Sequence, residues 1–275
     1  MVINQKDINA NVKSALAEDV GSGDVTAELI PEEALASATL ITREHAVIAG
    51  CQWFNEVFNQ LPHTTTINWN VADGDVVVPE QTLCTLNGSA RSLLTGERTA
   101  INFLQTLSAT ATTVASFVEI IKDTKTKILD TRKTIPGLRL AQKYAVACGG
   151  GTNHRVGLYD AILIKENHIM AAGGITQAVK QAKAKKLPVE VEVESLDELE
   201  EALTAEADQI LLDNFDLALL EKAVNINQGR AKLEASGNII KDDLYAIAKT
   251  GVDYISIGAL TKHIRAIDFS MRINL

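Results

Sequence analysis

The residues with the clearest chemical content lie between positions 130 and 168. Arg132, Lys133, Arg139, Lys143, Arg155 and Lys165 supply six positive charges there, against three negative ones from Asp130, Asp160 and Glu166. This local excess sits in a chain whose formal net charge is −9. A guanidinium offers a planar fork that meets a carboxylate or phosphate through two contacts, and an ammonium offers a point charge. The stretch therefore reads as a pocket for a small, multiply anionic ligand. Arg132, Lys133 and Lys165 follow apolar runs, where strands end. Arg139 and Lys143 stand four apart on a helical pattern and read equally well as a charged helix face.

Other residues complete the chemistry. Gly149-Gly150-Gly151 leads into Thr152-Asn153-His154-Arg155, and consecutive glycines let a backbone approach a ligand closely. In Val189-Glu190-Val191-Glu192-Val193-Glu194 the carboxylates alternate, which places all three on one strand face. If parallel neighbours cover that strand, a carboxylate on it requires a cation, a metal or hydroxyl groups. Asp213 follows an Ile-Leu-Leu run in the same manner. Ser236-Gly237-Asn238 and Gly258-Ala259 each precede a helical pattern, and such turns can present backbone N–H groups and a helix dipole to a phosphate. The five histidines show no metal-type spacing.

These residues need a scaffold that gathers strand ends. Strand-like runs lie at 128–130, 161–164, 189–193, 210–212, 232–235 and 254–257, with helical patterns such as 195–204 and 216–224 between them. The later runs recur about every 22 residues, the length of a short βα unit. Repeated units of this kind form a parallel sheet whose sites lie at the carboxyl ends of the strands. Six strands fall short of the eight in a closed barrel, so an open or incomplete barrel is expected, with a doubly wound sheet as the alternative. The first 113 residues mix hairpin and helix signals. Asp7 is placed to cap a helix bearing Ile8, Val12 and Leu16. Runs at 38–42 and 46–49 read as strands, 51–61 as a helix, Asp73-Gly74-Asp75 as a turn, and 89–122 as a long helix. That half is an α+β unit.

Bulk properties narrow the class. The apolar share is 46% and the charged share 22%, ordinary for a globular protein. A net charge of −9 argues against a nucleic-acid surface. Cys51, Cys84 and Cys148 are far apart, which fits buried thiols in a reducing compartment. Nothing approaches a membrane-spanning run, and the start lacks the features of a secretory leader. A cytoplasmic location with no membrane partner is expected.

Taken in order, Glu18 to Thr26, Leu94 to Asn102, Asp130 to Arg139, Gly149 to Arg155, Ile164 to His168, Glu190 to Glu194, Leu212 to Phe215, Glu234 to Asn238 and Ile257 to Thr261 resemble the quinolinate phosphoribosyltransferase family over nearly the whole chain. The family pattern is loose at Glu166 and Asn238. The resemblance implies an α/β fold. An N-terminal α/β sandwich covers 1–113, with a tail over 267–275 packing back on it. An open, incomplete α/β barrel of about six to seven parallel strands covers 114–266. It implies phosphoribosyl transfer to quinolinate with decarboxylation, Mg2+ accompanying the phosphoribosyl diphosphate donor, and a homodimer with shared sites. Arg132, His154, Arg155 and Lys165 would hold quinolinate, joined by Arg98 from the other subunit. Lys133 and Lys165 would face the leaving diphosphate. Glu192 and Asp213 would serve ribose and metal. Ser236, Gly237, Asn238, Gly258 and Ala259 would hold the 5′-phosphate. Two other readings stay open: a paralogue of the family linked to molybdate transport, and a class I aldolase-like barrel with Lys165 as the Schiff-base former.

Overall fold

A computed structural model describes residues 3–274. Met1 and Val2, at the start inspected for a leader, and Leu275, the last residue of the expected tail, lie outside the described residues. In chain order the elements are α1 (Gln5–Val20), β1 (Leu35–Thr42), β2 (Ala46–Val47), α2 (Cys51–Asn59), β3 (Thr65–Trp69), β4 (Val76–Val77), β5 (Thr82–Ser89), α3 (Ala90–Ile120) and β6 (Lys127–Leu129). Then come α4 (Arg139–Cys148), β7 (Ile162–Ile164), α5 (Glu166–Ala172), α6 (Ile175–Lys183), β8 (Val189–Val193), α7 (Leu196–Thr204), β9 (Gln209–Asp213) and α8 (Leu217–Asn227). The chain ends with β10 (Lys232–Ser236), α9 (Lys241–Lys249), β11 (Tyr254–Ser256), α10 (Ala259–Lys262) and β12 (Phe269–Asn274). Among the described residues no helix is long and apolar enough to cross a membrane.

The chain divides into two compact units. Unit 1 comprises Met1–Ala115, Thr134–Gly150 and Leu260–Leu275. Its antiparallel sheet runs β12-β1-β5-β3, and β12 pairs with β1 from Ser37↔Asn274 to Thr42↔Phe269. Helix α1 buries Ile8, Val12 and Leu16, as their spacing predicts, but its cap differs. The Asn4 side chain accepts from the Lys6 backbone N–H, while Asp7 sits inside the first turn, where it complements the helix dipole. Trp53, Phe54 and Phe58 on α2 are fully buried or nearly so, each contributing about 1.5–3 kcal/mol by burial. The sequence reading keeps residues 134–150 in the barrel, yet they belong with unit 1. Ala141 and Ala145 join its core, Tyr144 stacks obliquely on Trp53 at 5.6 Å, and the Tyr144 hydroxyl donates to Asp73 at 2.7 Å. Of the three free thiols, Cys84 is buried, while Cys51 and Cys148 are only partly so. Burial pushes Cys84 up to about 12 and Cys148 up to about 11.

Unit 2 comprises Ser116–Lys133 and Gly151–Ala259. Its six parallel strands run in the order β6-β11-β10-β9-β8-β7. This is the neighbour order of a barrel, with sequential strands adjacent and the first beside the last. A doubly wound sheet would instead reverse direction partway. The ring is open between β6 and β7. There Thr152 lies beside β6 as a single parallel bridge: its N–H donates to Ile128 O at 2.8 Å and its carbonyl accepts from Asp130 N–H at 3.2 Å. The glycine run thus delivers one residue of ladder at the open seam and then releases His154 and Arg155.

Candidate active site

Each strand of unit 2 ends on residues that converge on one cavity of about 370 Å³. Its lining takes Arg132 and Lys133 from the end of β6, Lys165 from the end of β7, Glu192 from β8, Asp213 from β9, Glu234 and Ser236 from β10, and Ser256 from β11. His154 and Arg155 enter from the bridge segment. The parallel sheet explains this gathering, since its strands all end on the same side. Short apolar runs hold the strands in the core, and the polar residue after each run emerges at the rim.

The charges are ordered. Arg132, Lys133, Arg155 and Lys165 form a cationic wall, and Glu192 and Asp213 stand among them. Lys165 Nζ donates to the Glu192 carboxylate in an ion pair that is half exposed on the lysine side. Burial raises the Asp213 carboxyl above its ordinary value and the Glu192 charge adds to this, while Lys165 and Lys133 oppose it. Burial and the charge of Arg132 both pull the Arg155 guanidinium below its ordinary value. Two guanidiniums thus repel each other in one cavity, and a dianion bound between them would relieve that repulsion.

Glycines set the edges of the site at two positions. Gly237 has φ +108°, and a Cβ there would meet Asn214 Oδ1 at 2.2 Å, so a side chain is excluded by both backbone and space. Asn214 Nδ2 donates to Asp213 at 2.7 Å, and its backbone N–H donates to Ser236 O at 2.9 Å. It therefore ties the β9 carboxylate to the turn after β10. At Gly258 a Cβ would lie 2.8 Å from Lys133 Cδ; the missing side chain is the space along which Lys133 reaches the cavity.

Beneath the wall lies a second group. His154 Nε2 contacts Glu190 at 2.8 Å and Glu234 at 3.4 Å. Gln209 Nε2 donates to Glu190 at 2.9 Å and to Glu234 at 2.6 Å. Burial disfavours the protonated imidazole, but its hydrogen bonds to the two carboxylates outweigh this and raise His154 to about 10. Burial also raises the Glu234 carboxyl, against the pull of His154. On its other side His154 Nδ1 accepts from the Arg155 backbone N–H at 2.8 Å. Protonation removes that acceptor, yet two carboxylates against one amide favour the cation.

Of the residues predicted from sequence, Arg132, Lys133, His154, Arg155, Lys165, Glu192, Asp213 and Ser236 meet in this cavity. Gly237 and Asn238 follow Ser236 directly, and beyond Ser256 Gly258 leads into Ala259, the first residue of α10. Arg98 is exposed on α3 in unit 1, and Arg139 and Lys143 lie on α4 in that unit. The three strand glutamates are not equivalent: Glu190 is buried, Glu192 half-buried and Glu194 exposed. Sequence reasoning missed Gln209, Glu234 and Asn214 as parts of the site. Glu234 carried a usable signal, a carboxylate set directly between the apolar Leu233 and Ala235 in mid-strand.

Comparison with known proteins agrees along the chain. The family model "Quinolinate phosphoribosyl transferase, N-terminal domain" matches residues 24–108, and its C-terminal counterpart matches 110–272. A probable nicotinate-nucleotide pyrophosphorylase (carboxylating) of Bacillus subtilis (strain 168) is 40% identical over 261 residues, 94% of this chain and 90% of the relative. The nicotinate-nucleotide pyrophosphorylase (carboxylating) of Mycobacterium leprae (strain TN) is 41% identical over 271 residues, 94% of this chain and 95% of the relative. The solved structure of the nicotinate-nucleotide pyrophosphorylase from Francisella tularensis superposes with a TM-score of 0.96 at 50% identity, covering 99% of this chain and 98% of that one.

Proposed function

This chain belongs to the quinolinate phosphoribosyltransferase family, and from that premise we propose that it transfers the phosphoribosyl group of phosphoribosyl diphosphate to the ring nitrogen of quinolinate. The products are nicotinate mononucleotide, diphosphate and carbon dioxide, a step in de novo NAD biosynthesis. The enzyme is a pentosyltransferase, nicotinate-nucleotide diphosphorylase (carboxylating), and it works in the cytoplasm. The observation that carries this reading is the pairing of Arg132 and Arg155 in one cavity with Lys133 and Lys165, beside Glu192 and Asp213.

Quinolinate brings two carboxylates to the two guanidiniums, with His154 and Lys165 beside them. The ring nitrogen attacks the anomeric carbon as the bond to diphosphate breaks, its electron pair leaving with the diphosphate. Lys133 and Lys165 face the charge that develops there. Glu192 and Asp213 face the ribose hydroxyls and the oxocarbenium-like sugar. The ribosylated ring is then cationic and accepts the electron pair released as the adjacent carboxylate departs, and a proton fills the vacated ring position. Ser236, with the turns at Gly237-Asn238 and Gly258-Ala259, holds the 5′-phosphate. The chain supplies placement and charge balance with no covalent nucleophile. Lys165 is half exposed and hydrogen-bonded to Glu192, unlike the desolvated amine of a Schiff-base lysine.

Glu192 and Asp213 also suit a hard divalent cation, because they are two carboxylates in one cavity, and burial together with the Glu192 charge raises Asp213, a cost that a cation would offset. They would hold Mg2+, and the ion would supply charge neutralisation of the diphosphate. Arg98, exposed on α3, would reach the site of a second copy in a homodimer.

The direct test is turnover of the purified protein with quinolinate, phosphoribosyl diphosphate and Mg2+, with release of carbon dioxide and diphosphate in equal amounts. No quinolinate-dependent release would overturn the reading. Mixing inactive Arg98→Ala and Lys165→Ala chains should restore part of the activity, since one site in each mixed dimer then has both residues. Proven subunit exchange without rescue would exclude shared sites.

A further inference from the structure

Glu190, Gln209, Glu234 and Ser256 occupy four neighbouring strands, β8 to β11; Glu234 and Ser256 line the cavity, while Glu190 and Gln209 lie at the strand starts, against a second cavity that His154 also lines. The carboxylates are nearly inaccessible, with Glu190 6% and Glu234 1% exposed. Burying two carboxylates in one place is costly unless each is fully partnered. Here the partners are specific. Gln209 donates to both carboxylates from the strand between them, His154 Nε2 meets both from the cavity side, and the Ser256 side chain hydrogen-bonds to Glu234. A group needed only to fill the interior of the sheet would be apolar, as Val191, Ile210 and Leu212 are nearby. The cluster instead spends its hydrogen bonds on one ring that lines the cavity.

That ring is fixed from the other side as well. The His154 backbone N–H donates to the buried Asp130 carboxylate at 2.8 Å, and His154 Nδ1 faces the Arg155 N–H. Because Arg155 directly follows His154 in the chain, a displacement of the imidazole is carried to the backbone that holds Arg155. The ligand-capable atoms of His154, Glu190 and Glu234 lie within 4.8 Å of one another, but each already has a hydrogen-bond partner, so the cluster is complete without an ion.

We propose that Glu190 and Glu234, bridged by Gln209, are positioning residues for quinolinate binding, acting through the His154 ring on the placement of His154 and Arg155 without touching the substrate. The inference rests on the phosphoribosyltransferase reading above. It predicts a specific pattern. Glu234→Gln and Glu190→Gln each weaken quinolinate binding about tenfold, in line with the loss of one charge-assisted hydrogen bond. The KM for phosphoribosyl diphosphate stays within about twofold, because the donor side of the cavity is untouched. In a His154→Ala background the same substitutions add nothing further, since their path to the substrate is gone.

The experiment is quinolinate binding by titration calorimetry for the wild-type protein, both single variants, His154→Ala and the two double variants, with steady-state KM values for both substrates and a thermal melt of each. Selective loss of quinolinate affinity that vanishes in the His154→Ala background is the expected result. Unchanged affinity in both folded variants overturns the proposal, as does an undiminished further loss when His154 is already absent. Equal damage to both KM values, tracking a lowered melting temperature, assigns the cluster to the fold alone and also overturns it. If Glu234→Gln does not fold, Glu190→Gln decides the matter, its carboxylate being the nearer to His154. Wild-type protein that neither binds nor turns over quinolinate would instead sink the functional reading itself.

Discussion

Two groups of charged side chains share one six-stranded sheet, one at the carboxyl rim of its strands and one deeper, toward the strand starts, and burial separates them. At the rim Lys165 pairs with Glu192 while half in solvent, and Lys133 stands exposed beside Asp213. At the floor His154, Glu190 and Glu234 are largely withdrawn from water and joined by Gln209. Exposed pairs of the first kind contribute about 0–1 kcal/mol to stability and exchange partners at little cost. Such groups can let go of each other and take hold of a phosphate. Buried clusters of the second kind are strongly damaged when one partner is removed. The rim is built to change partners and the floor to keep them.

The comparison can be broken most directly at Arg132. Arg132→Ala should raise the KM for quinolinate about a hundredfold, the cost of a bidentate charged contact, with the unfolding midpoint barely moved. Steady-state kinetics and a thermal melt on the same preparation check both halves. An unchanged KM would remove Arg132 from the pocket, and a large fall in the melting temperature would make the wall structural.

A smaller effect sharpens the floor. His154 is raised from an ordinary value of 6.5 to about 10 in the folded chain, so the folded state retains a proton that the unfolded chain gives up. The resulting stabilisation is complete below 6.5, declines as pH rises through the interval, and is gone above about 10. Thermal midpoints followed across that range should fall more steeply for wild type than for His154→Gln. Parallel curves would show that the imidazole carries no extra proton.

Much of this was legible in the chain. Arg132, Lys165 and Asp213 each follow a short apolar run, so periodicity both located the strands and placed these side chains at the strand ends. The helix bearing Ile8, Val12 and Leu16 was legible for the same reason. Its cap was not, because Asn4 and Asp7 have equal chemistry and only the local backbone chooses between them. The floor was harder. Glu190 and Gln209 are paired across β8 and β9, and Glu234 stands opposite Leu211 from β10, a register set by long-range packing. Alternation likewise made Glu190, Glu192 and Glu194 look alike: Glu190 and Glu192 differ in depth within β8, and Glu194 lies just past its end. Helix α4 joins the first unit because Ala141, Ala145 and Tyr144 fit its core, a preference invisible in a helical pattern that any apolar surface would satisfy.

The Thr152 bridge carries one more consequence. A strand with bare peptide groups along its outer side is a template for pairing with another molecule, and so a route to aggregation. Thr152 occupies the outward carbonyl of Ile128 and the outward amide of Asp130, which seals the flank of β6. The segment that presents His154 and Arg155 to a ligand is thus also a guard against self-association. Shortening the glycine run would cost colloidal solubility together with substrate affinity, and selection for either property would preserve the other.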